Sequence, residues 1–396
     1  LLIGEVAMVT VLLFAGVLLA RSYGHLTGLE PGFQPEGVLT AQFSLDDARY
    51  AESEAVTRFF EETVTDLEAL PGVTSASVAL SLPYERPLNV PFRLPGDAQD
   101  GQPRLANMVY MTPDFFQTLG IPLLEGREIL ESDRAESSPV VVVNQALLDA
   151  HFDGRFEPGA RIEFFGNGEG LEVVGVVGDV QQGGGGWGSA QPVWAAPTAY
   201  VPVTQMQGPV LQQVHVWFSP SWVIRAPGAS AQLDAQITRT FEARDSELPV
   251  ARAASLEQIM ADAFSRTRFQ ALFLLVVAGF ALLLAGVGLY GIVAQEVLER
   301  RREMGVRMAL GASPGRAIVT TGLSGVRLAA WGLVVGGLAA AGVGRVLSSL
   351  IWGVTPTDPV RSLAWGWGIG PRALLASFVP AARLGRLDPA TVLREE

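Results

Sequence analysis

Four arginines crowd one short segment. Arg300, Arg301, Arg302 and Arg307 fall within Glu296-Val-Leu-Glu-Arg-Arg-Arg-Glu-Met-Gly-Val-Arg-Met-Ala-Leu-Gly-Ala312, between two long apolar runs. Short cytoplasmic loops of membrane proteins collect positive charge, so the segment is expected on that side. Its punctuation predicts a short helix that ends just before another begins. Gly311 suits a left-handed cap, Ser313 an N-cap and Pro314 a first helical position. Met304 and Met308 share one side of the first helix, with Val306 and Leu310 roughly opposite. A solvated helix does not need two apolar stripes; a helix held between its own membrane bundle and a second protein does. The chemistry on offer is docking. The competing reading is a positive anchor with no partner.

Bond-making chemistry finds little support elsewhere. The chain has no cysteine and no lysine. Disulfides, thiolate metal sites and the usual P-loop ATP site are therefore excluded. His25, His151 and His215 are scattered. His215, read on the polar face of a strand, is expected at the surface. Gly183 to Gly186 lie in a loop from Gln181 to Ala196 that also holds Trp187 and Trp194. Such glycines can cradle phosphate, but no lysine or helix start follows, which favours a mobile loop. The expectation is a chain that is not an enzyme, with no catalytic residue, cofactor or metal.

The elements that position the arginine segment are membrane helices. Of 396 residues, 49% are hydrophobic and 17% charged, against about 25% charged in a soluble domain. A net charge of −12 argues against nucleic acid. Ile3 to Ala20 is long enough to span a bilayer and Arg21 ends it. The rival reading, a signal peptide, lacks a small-residue cleavage site. Phe269 to Ala294 is the clearest span. A third apolar segment, Ile318 to Trp352, is interrupted by Arg327 and Arg345. These can snorkel to opposite interfaces, and an ion path would need an acidic partner that the segment lacks. Gly332, Gly336, Ala340 and Gly344 recur every four residues, a small-residue stripe for packing between helices or protomers. After an outer turn, Gly353 to Pro359, the last span is Ser362 to Val379, broken by Gly366, Gly368, Gly370, Pro371 and Arg372. Four spans with both termini inside are expected. The Leu-Leu-Ile start without Met suggests a fragment, or one half of a duplicated protein.

Between the first two spans the composition is that of a soluble α+β domain. Leu39, Ala41, Phe43 and Leu45 alternate with polar residues as a half-buried strand does. Val56, Phe59, Phe60, Thr63, Val64 and Leu67 fit one helical face, and Pro71-Gly72 stops it. Ala76, Val78, Leu80 and Leu82 form a second strand. The order recurs late: a strand with Val214, Val216 and Phe218, a short apolar pair at Val223 and Ile224, a helix with Leu233, Ile237 and Phe241 after Ser230, and a strand from Leu248 to Ala253. Ser255-Leu-Glu-Gln258 is a capping-box candidate leading towards the membrane. Two such units predict one split sheet with helices on one face. Leu105 to Val203 reads as an insertion with its own strands at Val140–Val143, Ile162–Phe165 and Leu171–Val177, and with Asn144 capping a helix from Gln145 to Phe152.

Arg301-Arg-Glu-Met-Gly-Val-Arg-Met-Ala-Leu-Gly-Ala312 resembles the cytoplasmic signature of FtsX-like permeases, the membrane subunits of MacB-like ABC systems. Tyr110-Met-Thr-Pro-Asp-Phe-Phe116, Val174-Gly-Val-Val-Gly-Asp179 and the ending Pro380 to Arg394 are similar to that family too. The resemblance implies a membrane protein with four transmembrane α-helices and a large α+β periplasmic domain, a split β-α-β sheet with an inserted mainly β subdomain. It divides the chain into a first helix at 1–21, a MacB-like domain at 22–265 with its insertion at about 105–203, and a permease domain at 266–396. Within the last, a coupling helix at 299–311 would dock on a separate ABC ATPase through Arg302, Glu303, Met304, Gly305, Val306, Arg307, Met308, Leu310, Gly311 and Ala312. The implied work is mechanotransmission for export or extraction. The implied setting is the bacterial inner membrane, with lipid, a second permease copy or half in a dimer or pseudodimer, and a periplasmic partner. The alternative is a membrane-anchored binding or signalling module that has lost ATPase coupling.

Overall fold

Val56, Phe59, Phe60, Thr63 and Leu67 are the buried face of helix α2 (Ser53–Glu68). Their 3.6-residue periodicity needs an apolar surface to cover, and a sheet supplies it. The computed structural model describes residues 2–97, 102–164, 170–183, 193–228, 231–248, 250–299, 314–347 and 351–352. The chain divides into two compact units, Leu29–Phe264 and Leu1–Gly28 with Ser265–Glu396.

In the first unit, strands β1 (Val38–Phe43) and β2 (Ser75–Ala79) flank α2 in sequence, and β12 (Ser221–Arg225) and β13 (Val250–Ser255) flank helix α6 (Ala231–Arg244). The four strands interleave in the order β13-β1-β12-β2, all antiparallel neighbours. The two β-α-β units therefore build one sheet. Trp222 on β12 is fully buried at its centre. Phe43, Phe59, Phe60 and Phe241 stand around it, with ring centroids 5.1–5.6 Å away and near-perpendicular planes. Edge-to-face contacts suit the aromatic quadrupole. The indole N–H donates to Thr63 Oγ at 2.8 Å, so no polar atom of the ring is stranded.

From β2 the sheet passes to β4 (Arg104–Met111) and then closes on itself. The pairings β4-β3-β7-β8-β6-β11 return to β4, with β3 at Leu88–Arg93, β6 at Val140–Asn144, β7 at Arg161–Phe164, β8 at Leu171–Val177 and β11 at Thr198–Pro202. A ring of six strands has no free edge. Two of its pairings, β6–β8 and β11–β4, are parallel. The unbroken valine run of β6 is buried on both faces, as parallel strands require. β5 (Leu123–Gly126) adds to β8, and helices α3 (Phe115–Leu119) and α4 (Gln145–His151) lie between strands. Asn144 caps α4, its side chain accepting from Leu147 N–H at 3.1 Å.

Two sequence expectations change here. Residues 208–217 form helix α5 (Gly208–Trp217), not a strand. Leu211, Val214 and His215 bury one helical stripe, while Val216 and Trp217 are exposed. Pro209 in the first turn was the helix signal, and a β-branched alternation overlaid it. The late unit's first strand is instead β12. The ends of the 181–196 loop pair as a hairpin, β9 (Gln181–Gly183) with β10 (Val193–Ala195). The ring also takes in β3, ahead of residue 105. Ser230 lies outside the described residues.

The second unit contains α1 (Leu2–Thr27), α8 (Ser265–Glu299) and α9 (Pro314–Leu347). Among the described residues, three helical stretches are long and apolar enough to cross a membrane: Ile3–Thr27, Ser265–Gly288 and Arg327–Val346. The expected fourth span at 362–379 lies outside the described residues. On α8, Ala271, Ala278 and Ala285 recur every seven residues and are buried. The opposite stripe, Phe269, Phe273, Val276, Phe280, Leu283 and Val287, is exposed, as a lipid-facing surface would be. Ser22 of α1 is fully buried, and its hydroxyl accepts Trp352 N–H at 2.8 Å and donates to Trp352 C=O at 3.3 Å.

Candidate functional site

The arginine segment is bracketed by described helices. Residues 300–313, including Arg302, Glu303, Met304, Gly305, Val306, Arg307, Met308, Leu310, Gly311 and Ala312, lie outside the described residues. α8 runs unbroken to Glu299 and α9 opens on Pro314. With 35 residues and a rise of 1.5 Å each, α8 is about 52 Å long, well beyond a hydrocarbon layer of about 30 Å. Its other end follows the sheet in sequence. Ser255, last residue of β13, starts helix α7 (Leu256–Ala263) with a full capping box to Gln258, and only Phe264 separates α7 from α8.

The small-residue stripe lies on α1. Gly332, Gly336, Ala340 and Gly344 are buried along one face of α9. A Cβ on Gly332 would stand 2.5 Å from Val6 Cβ, and one on Gly336 2.7 Å from Thr10 Cβ and 2.8 Å from Ala7 O. Absent side chains let the two backbones touch. Arg327 and Arg345 on the same helix are exposed.

A site without a sequence signature lies in the Leu29–Phe264 unit, on the turn Leu82–Arg86. Tyr84 holds φ at 67°, a left-handed conformation uncommon for a bulky residue. Hairpin strand β9 pins it: Tyr84 N–H donates to Gln181 O at 2.9 Å and Gly183 N–H to Glu85 O at 2.9 Å. Gly183 must be glycine there, since a Cβ would lie 2.6 Å from Tyr84 O. The Tyr84 ring packs edge-on against Phe33 and Phe264. Glu85 accepts Leu82 N–H at 3.2 Å and lies 3.6 Å from Arg252, which pairs with Asp262 of α7 at 2.7 Å. Burial pushes the Glu85 carboxyl above its ordinary pKa. Beside this turn a cleft of about 310 Å³ is lined by Gln42, Leu80, Ser81, Glu85, Arg86, Trp217, Phe218 and Ser219.

The histidines are placed differently from one another. His25 is exposed in the last turn of α1. His151 is half-buried, edge-on to Phe92 and 3.3 Å from an Arg104 nitrogen. His215, expected at the surface, is 2% exposed in α5. Its Nε2 lies 2.6 Å from Tyr110 Oη, and Nδ1 has no partner among the described residues. Burial pulls its pKa down from 6.5 to about 4. The unfolded chain therefore binds this proton between those values and the folded chain does not. Stability is expected to fall by about 2–3 kcal/mol as pH drops from 7 to 4.5. His215→Gln is expected to remove that part of the fall, read from urea midpoints at the two pH values. No trio of metal-binding side chains is found among the described residues.

A model of the MacB-like periplasmic core domain matches residues 6–240, and one of the FtsX-like permease C-terminal region matches 275–389. The macrolide export ATP-binding/permease protein MacB of Chromobacterium violaceum is 26% identical over 74% of this chain and 44% of its own length. The uncharacterized ABC transporter permease YvrN of Bacillus subtilis is 27% identical over 72% of this chain and 68% of its own. The chain thus spans less than half of the MacB protein it matches. The periplasmic region of MacB from Actinobacillus actinomycetemcomitans, a solved structure, aligns over 60% of this chain at 16% identity and a TM-score of 0.39. With both matched regions together covering most of its length, the chain belongs to the FtsX-like, MacB-like family of ABC transporter permeases.

Proposed function

We propose that this permease passes motion, generated by a separate ABC ATPase, through the membrane to its α+β domain for export or extraction. The ATPase would dock on residues 299–311, and the chain itself would hydrolyse nothing. One observation carries the reading: α8 is a single helix from the edge of the domain to the arginine segment. A continuous helix moves as a rod, so displacement at Glu299 reaches Ser265 without a joint in between. The setting is the bacterial inner membrane, crossed four times, with the domain in the periplasm and a second copy or half completing a dimer or pseudodimer. The broken sequence at 362–379 favours a second reading, a binding or signalling module uncoupled from any ATPase.

Single cysteines decide the topology cleanly, because the chain has none of its own. An impermeant maleimide applied outside intact spheroplasts is expected to label Leu130→Cys in the domain and to spare Val306→Cys until the membrane is opened. Labelling of both from outside would end the proposal. Copurification of an ATPase with the chain supports coupling, and its absence supports the second reading.

A further inference from the structure

The six-strand ring has no free edge, but β5 brings one back. Among the described residues its one strand partner is β8. At its two ends Arg127 N–H donates to Val174 O at 3.0 Å and Pro122 O accepts Gly178 N–H at 2.8 Å. Bonding direction alternates along an antiparallel strand, so the neighbours Leu123 and Gly126 turn their backbone groups outward. Gly126 is exposed, and with no side chain that exposure is backbone. Edges of this kind are normally blunted. β5 is four residues long, follows Pro122, carries a bulge between Leu123 and Glu125 and bears a charge at Glu125. Yet it keeps two leucines in water, Leu123 at 39% and Leu124 at 48% exposure. Leu130 adds a third on the turn that follows, where Asp133 accepts both an Arg127 N–H at 2.7 Å and Leu130 N–H at 2.9 Å. Blunting has no use for bare leucines; docking does.

Charge selects the occupant. Glu125, Glu128 and Glu131 have no ion-pair partner among the described residues, whereas the cations beside them are engaged, Arg127 with Asp133 and Arg134 with Glu61 at 3.0 Å. A second copy pairing edge to edge would bring two such carboxylate groups together, which repel. We propose that β5 takes up an extended basic strand of another protein as the next strand of its sheet. The outward groups of Leu123 and Gly126 bond its backbone, Leu123 and Leu124 cover its apolar residues, and its cations meet Glu125, Glu128 and Glu131. Only residues of the Leu29–Phe264 unit take part, so the inference stands whether or not an ATPase drives the chain.

The probe is a fluorescein-labelled peptide of four Arg-Val repeats, titrated by anisotropy with the full chain in detergent at physiological salt. Glu125→Arg, and separately Leu123→Ser with Leu124→Ser, are each expected to weaken binding about tenfold with the thermal midpoint unchanged, as two surface changes should leave it. Glu242→Arg, which alters net charge equally at an exposed site on α6, should change it less than about twofold. Methylating two successive central amides of the peptide, one on each edge, should also cost about tenfold, because strand pairing needs them. Equal losses at 125 and 242 would reduce the binding to the general field of an acidic chain and overturn the proposal. Indifference to the methylated amides or to the leucine changes would overturn it too. Dimerisation of the chain without peptide, lost on changing the two leucines, would give the edge to a second copy instead.

Discussion

Gly305→Asp together with Leu310→Asp is expected to return ATP hydrolysis by the docked ATPase to its unstimulated rate, at least a tenfold loss of stimulation. Desolvation sets the size of the effect. A helix with two apolar stripes offers one to its own bundle and one to a groove in the partner. A carboxylate pressed into that groove without a counter-ion costs several kcal/mol, and each 1.4 kcal/mol is tenfold in docking equilibrium. Gly305→Ala and Leu310→Met keep the surface apolar and are expected to retain stimulation. The domain should not register the change. Its stability rests on the Trp222 cluster and the closed ring, which lie within Leu29–Phe264, so the urea midpoint of the double mutant should match the wild type. Stimulation that persists in the double mutant would remove 299–311 from the path of force.

Much of this architecture is legible because local and tertiary preferences agree. Val56, Phe59, Phe60, Thr63 and Leu67 of the α2 stripe are buried as their spacing predicts, with Val64 half-buried beside them, and Leu233, Ile237 and Phe241 of α6 are buried too. The capping box at Ser255 and the Asn144 cap form as written. These signals span three or four residues and need no distant partner. Pairing across the chain leaves no such trace. Nothing in residues 198–202 announces that they lie parallel to 107–111 and close a ring. Trp222 was passed over because a lone aromatic in a short strand looks ordinary until four rings from other elements surround it. His215 misled for the opposite reason. Val214, Val216 and Phe218 alternate as a strand does, and the helix that overrides this pattern gains by burying Leu211, Val214 and His215 together. The turn at Tyr84 shows the limit most clearly. Its strain comes from β9, a hundred residues later in the chain, and a sequence pattern cannot contain it.

The glycines of α9 give the second large effect. Gly336→Leu is expected to cost about 2–3 kcal/mol or more, a fall of about 5–10 °C in the thermal midpoint of the detergent-solubilised chain. The Cβ alone would sit 2.7 Å from Thr10 Cβ and 2.9 Å from Ala7 Cα, where carbon atoms need about 3.5–4.0 Å. Neither neighbour is the free end of a side chain. Thr10 is fixed by its hydroxyl, which donates to Val6 O at 2.7 Å, so α1 and α9 must move apart by about 1 Å over several turns. That separation forfeits dispersion contacts along the seam, which lipid tails do not restore in kind. Gly332→Leu meets Val6 Cβ at 2.5 Å and should behave alike. Gly337→Leu supplies the comparison. It adds the same atoms to the next residue of the same helix, where no atom of the described residues lies within 4 Å, and helix propensity favours leucine over glycine. Its midpoint should stay within about 2 °C of the wild type or rise. Equal midpoints at 336 and 337 would show that the stripe does not hold α1 against α9.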